Sequence, residues 1–280
     1  MLLIHDLIPL THASFVDRHH SATFSKWIAD ALATVDFALT VSRHSRDELI
    51  KVAKAHAWSL PLVEVLPLGA TFKPWGPRKT VNIPAASGAL PRRFVLYVST
   101  IEPRKNHRLL IEVWRRLIAR HGADVVPDLV WVGVSPARAF RREILSGNDF
   151  GDKLHLLTEL SDEELVEAYR RCLFTVYPSL CEGWGLPVAE SLAHGRFCVA
   201  SDCTSLPEVG GRFVDYFNPA DIDDAVAKIE RPLLDPTYLA KREALLRDAY
   251  KPAPWPDCAR SLMLMLDRAV VPVFSQEARP

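Results

Sequence analysis

From Phe94 onward the chain alternates short, wholly apolar runs with stretches of helical periodicity, and this rhythm constrains the fold more than any other feature. Phe94–Val98 is an uninterrupted apolar run of strand length. It is followed from about His107 by Leu109, Leu110, Val113, Trp114, Leu117 and Ile118, which share one face of a helix. Asp128–Val132, Lys153–Leu157, Leu173–Tyr177, Phe197–Ala200 and Phe213–Tyr216 read as further strands, and the chain from Asp221 reads as helical. Ser161 and Glu164 have the spacing of a capping box, with Leu160 and Leu165 at the staple positions, so a helix is predicted over Ser161–Arg170. Pro187 fits the first position of a helix over Pro187–His194, and Gly195 fits its stop. Strands with no polar alternation are buried on both faces, so the segment predicts a parallel sheet covered by helices on both sides. Ligands of such sheets bind beyond the carboxyl ends of the strands. The loops after Val98, Val132 and Tyr177 are therefore the places to look for chemistry.

The first third carries a weaker version of the same pattern. Leu2–His5, Phe37–Val41 and Val63–Leu66 are strand candidates, and Ser21–Ala33 and Ser45–His56 are helix candidates, with Ser45 and Glu48 spaced as a capping box. Residues 67–92 are dense in Pro and Gly and read as a linker. This divides the chain into a partial N-terminal domain (1–66), the linker (67–92), a second domain (93–250) and a C-terminal helical segment (251–280).

Composition excludes several classes. With 34 basic and 34 acidic residues the formal net charge is zero, whereas nucleic-acid binders need a cationic excess to meet phosphates. No apolar run reaches the ~20 residues needed to span a bilayer. The apolar start, Met1–Leu10, lacks a basic lead-in and carries His5 and Asp6, so it reads as a buried strand, not a signal peptide. Five cysteines without a C-x-x-C predict reduced thiols in a cytoplasmic protein, with Cys181 and Cys198 as small buried hydrophobes. The ten histidines show no metal-ligand spacing, so no metal site is expected. No G-x-G-x-x-G follows a predicted strand, which disfavours a dinucleotide-dependent dehydrogenase.

Two loops carry chemistry-bearing residues. Ser99–Asn106 leaves a strand and enters a helix, and its adjacent Arg104 and Lys105 suit a phosphate group beside free helix N–H groups. The bland alternative is a solvated Arg-Lys pair followed by Asn106 as N-cap. Pro178–Pro187 also joins a strand to a helix. Gly183 and Gly185 there permit close backbone approach, and Glu182 beside Trp184 suits a sugar, which presents both C–H faces and hydroxyls. Glu190 lies in the first turns of the following helix, where the dipole alone favours an acid. A lone His5 at the end of an apolar strand is equally open to a structural reading, as Trp184 is to core packing.

With these residues in view, Phe94–Pro219 resembles the donor-binding domain of the retaining family 4 glycosyltransferases of GT-B fold. The resemblance rests on V-S-T-I-E-P-R-K-N (Val98–Asn106), Y-P-S-L-C-E-G-W-G-L-P-V-A-E-S-L-A-H-G (Tyr177–Gly195), S-L-P-E-V-G-G (Ser205–Gly211) and F-N-P-A-D (Phe217–Asp221). Glu182 and Glu190 stand eight apart, as in the family's E-x7-E motif. Ile4-His5-Asp6, Leu39–Arg43 and Leu66–Gly69 extend the match into the first third. The resemblance implies an α/β, GT-B-like chain with one complete Rossmann-like donor domain, an incomplete N-terminal Rossmann-like domain and a last helix that crosses back to it.

The same resemblance implies roles. Arg104 and Lys105 neutralise the diphosphate of a nucleotide-sugar, Glu190 bonds the ribose hydroxyls, and Glu182 lies against the donor sugar. The Gly185 and Leu186 N–H groups face phosphate or sugar oxygens, and His5 is the active-site histidine. Ser99-Thr100 stand where many members carry a Gly-Arg pair, so phosphate charge falls to Arg104 and Lys105. The implied reaction is retaining, metal-independent transfer of a hexose, with mannose the candidate, to a saccharide or lipid-linked glycan. No cofactor is implied. A lipid-linked acceptor would place the protein peripherally at the inner face of the membrane. Two further readings compete: a sugar-nucleotide-binding fragment without transfer activity, and a glycoside hydrolase using Glu182 and Glu190. About three strand candidates before the linker fall short of the six or so of a doubly wound domain, which predicts a chain lacking the first part of its acceptor domain.

Overall fold

The computed structural model describes residues 1–70, 90–134, 138–146, 150–158 and 160–274. Most of the sequence-predicted linker lies outside the described residues. Contacts divide the chain into two compact units. One comprises Met1–Thr71, Glu182–Trp184 and Pro252–Pro280, and the other comprises Phe72–Cys181 and Gly185–Lys251.

The first unit is built on three parallel strands, β1 (Leu2–Ile4), β2 (Phe37–Thr40) and β3 (Leu62–Val65), in that order. A four-residue helix α1 (Ile8–Thr11), which periodicity did not reveal, follows β1, with Asp6 accepting a bond from Ile8 N at 3.0 Å. Helix α2 (Arg18–Thr34) starts earlier than predicted, because Asp17 caps it by accepting from the His19 and His20 amides. Helix α3 (Arg43–Ala55) corrects the predicted cap. Ser42, not Ser45, is the N-cap and accepts from Ser45 N at 3.0 Å, so the Ser45–Glu48 spacing is not a capping box. Ile4, Leu7, Ile28, Leu32, Ala38 and Leu49 form the core between the sheet and these helices.

The second unit is a six-stranded parallel sheet. Its strands are β4 (Phe94–Val98), β5 (Asp128–Val132), β6 (Leu154–Leu157), β7 (Thr175–Tyr177), β8 (Cys198–Ser201) and β9 (Val214–Phe217). Its order is β6-β5-β4-β7-β8-β9. Alternate residues of β4 serve opposite faces: Val95 and Tyr97 join one core cluster and Phe94 and Leu96 the other, all four fully buried. This is why the run is apolar throughout. Helices α4 (His107–His121), α5 (Arg138–Ser146), α6 (Asp162–Arg171), α7 (Leu186–Ala193), α8 (Leu206–Gly210), α9 (Ile222–Leu234) and α10 (Pro236–Ala249) complete the layers. Both bonds of the Ser161–Glu164 capping box form, at 2.7 and 3.2 Å. Helix α7 begins one residue before Pro187, at Leu186, and stops where expected, with Gly195 at φ 72°. Helices α5 and α8 had no clear signal in the sequence.

The last helix, α11 (Trp255–Phe274), belongs to the first unit. Its Cys258, Leu262, Met265 and Leu266 pack on Phe37, Leu39 and Leu66, while Met263 and Leu264 are exposed. One stripe of the helix, Cys258, Leu262, Met265 and Leu266, therefore faces the core. Gly69 lets the chain pass the helix start: a Cβ there would lie 2.7 Å from the Trp255 ring. No described helix is long and apolar enough to cross a membrane.

Candidate functional site

The strand order of the second unit fixes where a ligand can enter. Successive connections run from β4 outward to β5 and β6, then return to the other side of β4 to place β7, β8 and β9. The chain therefore changes direction between β4 and β7. At such a switch point the loops leaving two adjacent strands diverge and open a crevice at their carboxyl ends. The two loops concerned are those singled out in the sequence.

The β4 loop makes a 3-10 turn at Pro103–Lys105, then Asn106 takes the left-handed conformation (φ 56°, ψ 38°) and α4 begins. Asn106 is the N-cap by position, but its side chain makes no capping bond. The solvated-pair reading of Arg104-Lys105 fails, because Lys105 is 7% exposed. Its ammonium donates to the Tyr177 hydroxyl at 3.0 Å and lies 5.4 Å from that ring's centre, while Tyr97 donates to the Lys105 carbonyl at 2.5 Å. Two phenols at the ends of β4 and β7 thus anchor the lysine by head and backbone. Arg104 pairs with Glu102 at 2.8 Å and donates to the Cys181 carbonyl at 3.1 Å. The Leu180 amide donates to the Arg104 carbonyl at 2.8 Å. The β4 and β7 loops are therefore stitched together at the switch point.

Beneath this turn lies His107, buried between the rings of Tyr97 and Trp131, with Nε2 3.3 Å from Ser99 Oγ. Burial, then the neighbouring Lys105 charge, lower its pKa to about 3, against a smaller opposing bond to the Glu102 backbone. It is neutral at pH 7. Ser99 is pressed against the β5 loop: a Cβ on Gly133 would lie 2.0 Å from its carbonyl.

The β7 loop leads into α7 through Gly185, at φ 117°. A Cβ there would lie 2.5 Å from Leu206 Cδ2, so a glycine is required both for the dihedral and for space. Helix α7 has no side-chain cap, Pro187 carries no N–H and Val188 N already donates to the Gly185 carbonyl at 3.0 Å, so the Leu186 amide is the donor of this first turn left for an anion. Glu190 lies one turn further on, with Oε2 accepting the Tyr169 hydroxyl at 2.9 Å. Burial pushes its carboxyl up, the Tyr169 bond pulls it down and the Asp162 charge adds to the rise. Arg104, Lys105, Gly185, Leu186 and Glu190 thus belong to one unit, on loops and a helix at the carboxyl ends of the two central strands.

His5 and Glu182 belong to the other unit. His5 is exposed at the end of β1. Glu182, in the loop that Gly183 and Gly185 shape, is buried, with 8% of its surface exposed. A Cβ on Gly183 would meet the His5 carbonyl at 2.1 Å, and Ser45 Oγ lies 3.3 Å from the carbonyls of both His5 and Gly183. The Glu182–Trp184 turn is therefore held against the end of β1, a contact between positions too distant in sequence for spacing to reveal. Sequence reasoning also missed Tyr97, Tyr169, Tyr177 and His107 as site supports. The available signal was a phenol at or next to the carboxyl end of each of the two strands that precede the loops.

Comparison with known proteins matches this arrangement to a family. The chain is 33% identical over 159 residues to the serotype-specific mannosyltransferase WbdA of Escherichia coli, covering 56% of this chain and 19% of that protein. It is 27% identical over 259 residues to the O-antigen chain mannosyltransferase B of Escherichia coli, covering 91% of this chain and 66% of that one. The chain thus spans about a fifth of the first relative and about two thirds of the second. Among solved structures, the sucrose-phosphate synthase of Thermosynechococcus elongatus superposes with a TM-score of 0.68 at 19% identity, over 95% of this chain and 67% of that one. That likeness shows the fold, α/β with parallel sheets of the GT-B type. Residues 82–251 match the sequence model of the glycosyl transferases group 1, and the chain belongs to that family.

Proposed function

We propose that the protein transfers a mannosyl residue from a nucleotide-sugar to a saccharide or lipid-linked glycan acceptor, with retention and without a metal. The observation that carries the reading is the stitched pair of loops at the β4–β7 switch point, which gathers two cations, an uncapped helix start and a carboxylate in one unit. The sugar comes from the names of the two relatives, a serotype-specific mannosyltransferase and an O-antigen chain mannosyltransferase.

Each group has a task in this reading. Breaking the sugar–phosphate bond builds positive charge on the sugar ring and negative charge on the departing diphosphate. Lys105, Arg104 and the α7 amides at Gly185 and Leu186 stabilise the diphosphate as its charge grows, and preorganised donors of this kind are commonly worth a few kcal/mol each. Glu190 takes the ribose hydroxyls. Glu182 and His5 act at the transferred sugar. A lipid-linked acceptor brings the protein to the inner face of the membrane as a peripheral, cytoplasmic enzyme.

Incubation of the 280-residue chain with GDP-mannose, UDP-glucose and UDP-N-acetylglucosamine, with and without a mannosyl-lipid acceptor and with and without EDTA, tests the reading. The expected result is acceptor-dependent, EDTA-insensitive release of nucleoside diphosphate from GDP-mannose and an α-linked product. Nucleotide binding without acceptor-dependent release supports the alternative, a sugar-nucleotide-binding fragment. Nucleotide-independent cleavage of an aryl mannoside refutes transfer altogether.

A further inference from the structure

Tyr169 is a deeply buried ionisable group that the proposed chemistry does not use. It lies on α6, is 1% exposed, and stacks on the His194 ring at 5.2 Å between centres and 21° between planes. Its backbone carbonyl accepts from Arg196 Nε at 3.1 Å and Cys172 Sγ at 3.2 Å. The ring is therefore fixed from several sides, and α6 itself is fixed by its capping box. Its hydroxyl has one proton to give and two acceptors in reach, Glu190 Oε2 at 2.9 Å and the Pro187 carbonyl at 3.5 Å. The shorter bond to a carboxylate wins. Among the described residues, no hydrogen bond reaches Glu190 Oε1.

We propose that Tyr169 is a positioning residue: it holds Glu190 by one oxygen so that the other is presented to the ribose diol, and it thereby sets the preference of the site for ribonucleotides. The inference rests on the ribose role of Glu190 given above. A free glutamate near a helix start has several rotamers, and a buried, immobile donor selects one before any ligand arrives. The cost of ordering the side chain then falls on folding, not on binding. The same bond has an electrostatic effect. It favours the carboxylate against burial and against the Asp162 charge, Tyr169 and Asp162 being the ionisable groups that act on Glu190. A diol donates two hydrogen bonds, so it needs the charged form.

The test compares GDP with 2′,3′-dideoxy-GDP by calorimetry on the full chain, with the UDP pair in parallel, for the wild type, Tyr169→Phe and Glu190→Gln. The phenylalanine keeps the ring and its stack and removes only the hydroxyl. The wild type is expected to prefer the ribonucleotide at least tenfold, and Glu190→Gln to lose most of that preference. Tyr169→Phe should weaken the ribonucleotide about five- to tenfold while leaving the dideoxynucleotide within twofold, and binding of the ribonucleotide should fail at a higher pH than in the wild type. Unchanged dideoxynucleotide affinity also reports an intact fold. Equal losses for both nucleotides, or loss of all binding, would assign Tyr169 a purely structural role and overturn the inference. A full ribose preference retained in Tyr169→Phe but lost in Glu190→Gln overturns the positioning role and leaves the ribose reading standing. No ribose preference in the wild type, or no binding of either nucleotide pair, removes the ribose reading and the inference with it.

Discussion

Lys105→Met isolates the contribution of a single buried cation. Methionine retains most of the stem volume, so the variant removes the ammonium with little repacking. In the structure that ammonium is anchored 3.0 Å from the Tyr177 hydroxyl in a side chain only 7% exposed. A phosphate oxygen reaching it would gain a charge-assisted hydrogen bond in a largely desolvated place. Such bonds are worth about 1.5–3 kcal/mol, and at 1.4 kcal/mol per decade this becomes a loss of roughly 10- to 150-fold in affinity. Burial puts the expectation in the upper part of that range. Arg104→Ala should cost less, because Glu102 at 2.8 Å already offsets part of the Arg104 charge. The assay is calorimetric titration with GDP and with guanosine, and with UDP and uridine. For Lys105→Met the diphosphate should lose affinity and the nucleoside should stay within about twofold. Comparable losses for nucleoside and diphosphate, or a larger effect from Arg104 than from Lys105, would refute the reasoning.

Three further expectations concern other parts of the site. Glu190→Gln should raise the donor KM with a small effect on kcat, whereas Glu182→Gln should lower kcat with little change in nucleotide affinity; steady-state kinetics that move alike in both variants would remove this division of roles. Gly185→Ala forces a Cβ into a φ of 117° and against Leu206, at a cost of about 1–3 kcal/mol, so its thermal midpoint should fall by several degrees in a melt that leaves the wild type folded. His107 is held neutral with its pKa lowered to about 3, so the unfolded chain binds the extra proton between that value and about 6.5. Its contribution is complete above about pH 6.5 and is lost as pH falls toward 3, roughly 2 kcal/mol of it by pH 5. The wild type should therefore lose more stability between pH 7 and pH 5 than His107→Gln does; equal slopes in denaturant titrations would show that the ring is not buried neutral.

Part of this architecture is local and was legible as such. The runs at Phe94–Val98 and Asp128–Val132 are strands over their full predicted lengths, because a strand buried on both faces is apolar at each buried position, as Phe94–Tyr97 and Leu129–Val132 are. The Ser161–Glu164 box and the Gly195 stop fell where expected, since both motifs satisfy backbone groups within a few residues of themselves. The loops that carry Arg104, Lys105, Gly185 and Glu190 were also legible, because the carboxyl-end rule needs only the strand positions and their direction. What spacing misjudged was competition between neighbouring serines: Ser42 and Ser45 are both good cap residues, and Ser42, the nearer to the end of β2 at Thr40, took the role.

Tertiary structure alone decided the rest. The order β6-β5-β4-β7-β8-β9 makes the loops after Val98 and Tyr177 neighbours, although nearly eighty residues separate them in the chain. That adjacency buries Lys105 under Tyr177, which no solvated-pair reading of the sequence anticipates. It was likewise packing of α6 beside α7 that turned Tyr169, one apolar-face residue of an amphipathic helix, into the partner of Glu190. Periodicity reports which side of an element is buried. Which polar group each buried hydroxyl then meets is set by the stacking of elements, and hydrogen bonds of 2.9–3.0 Å leave no tolerance for inferring it from sequence spacing.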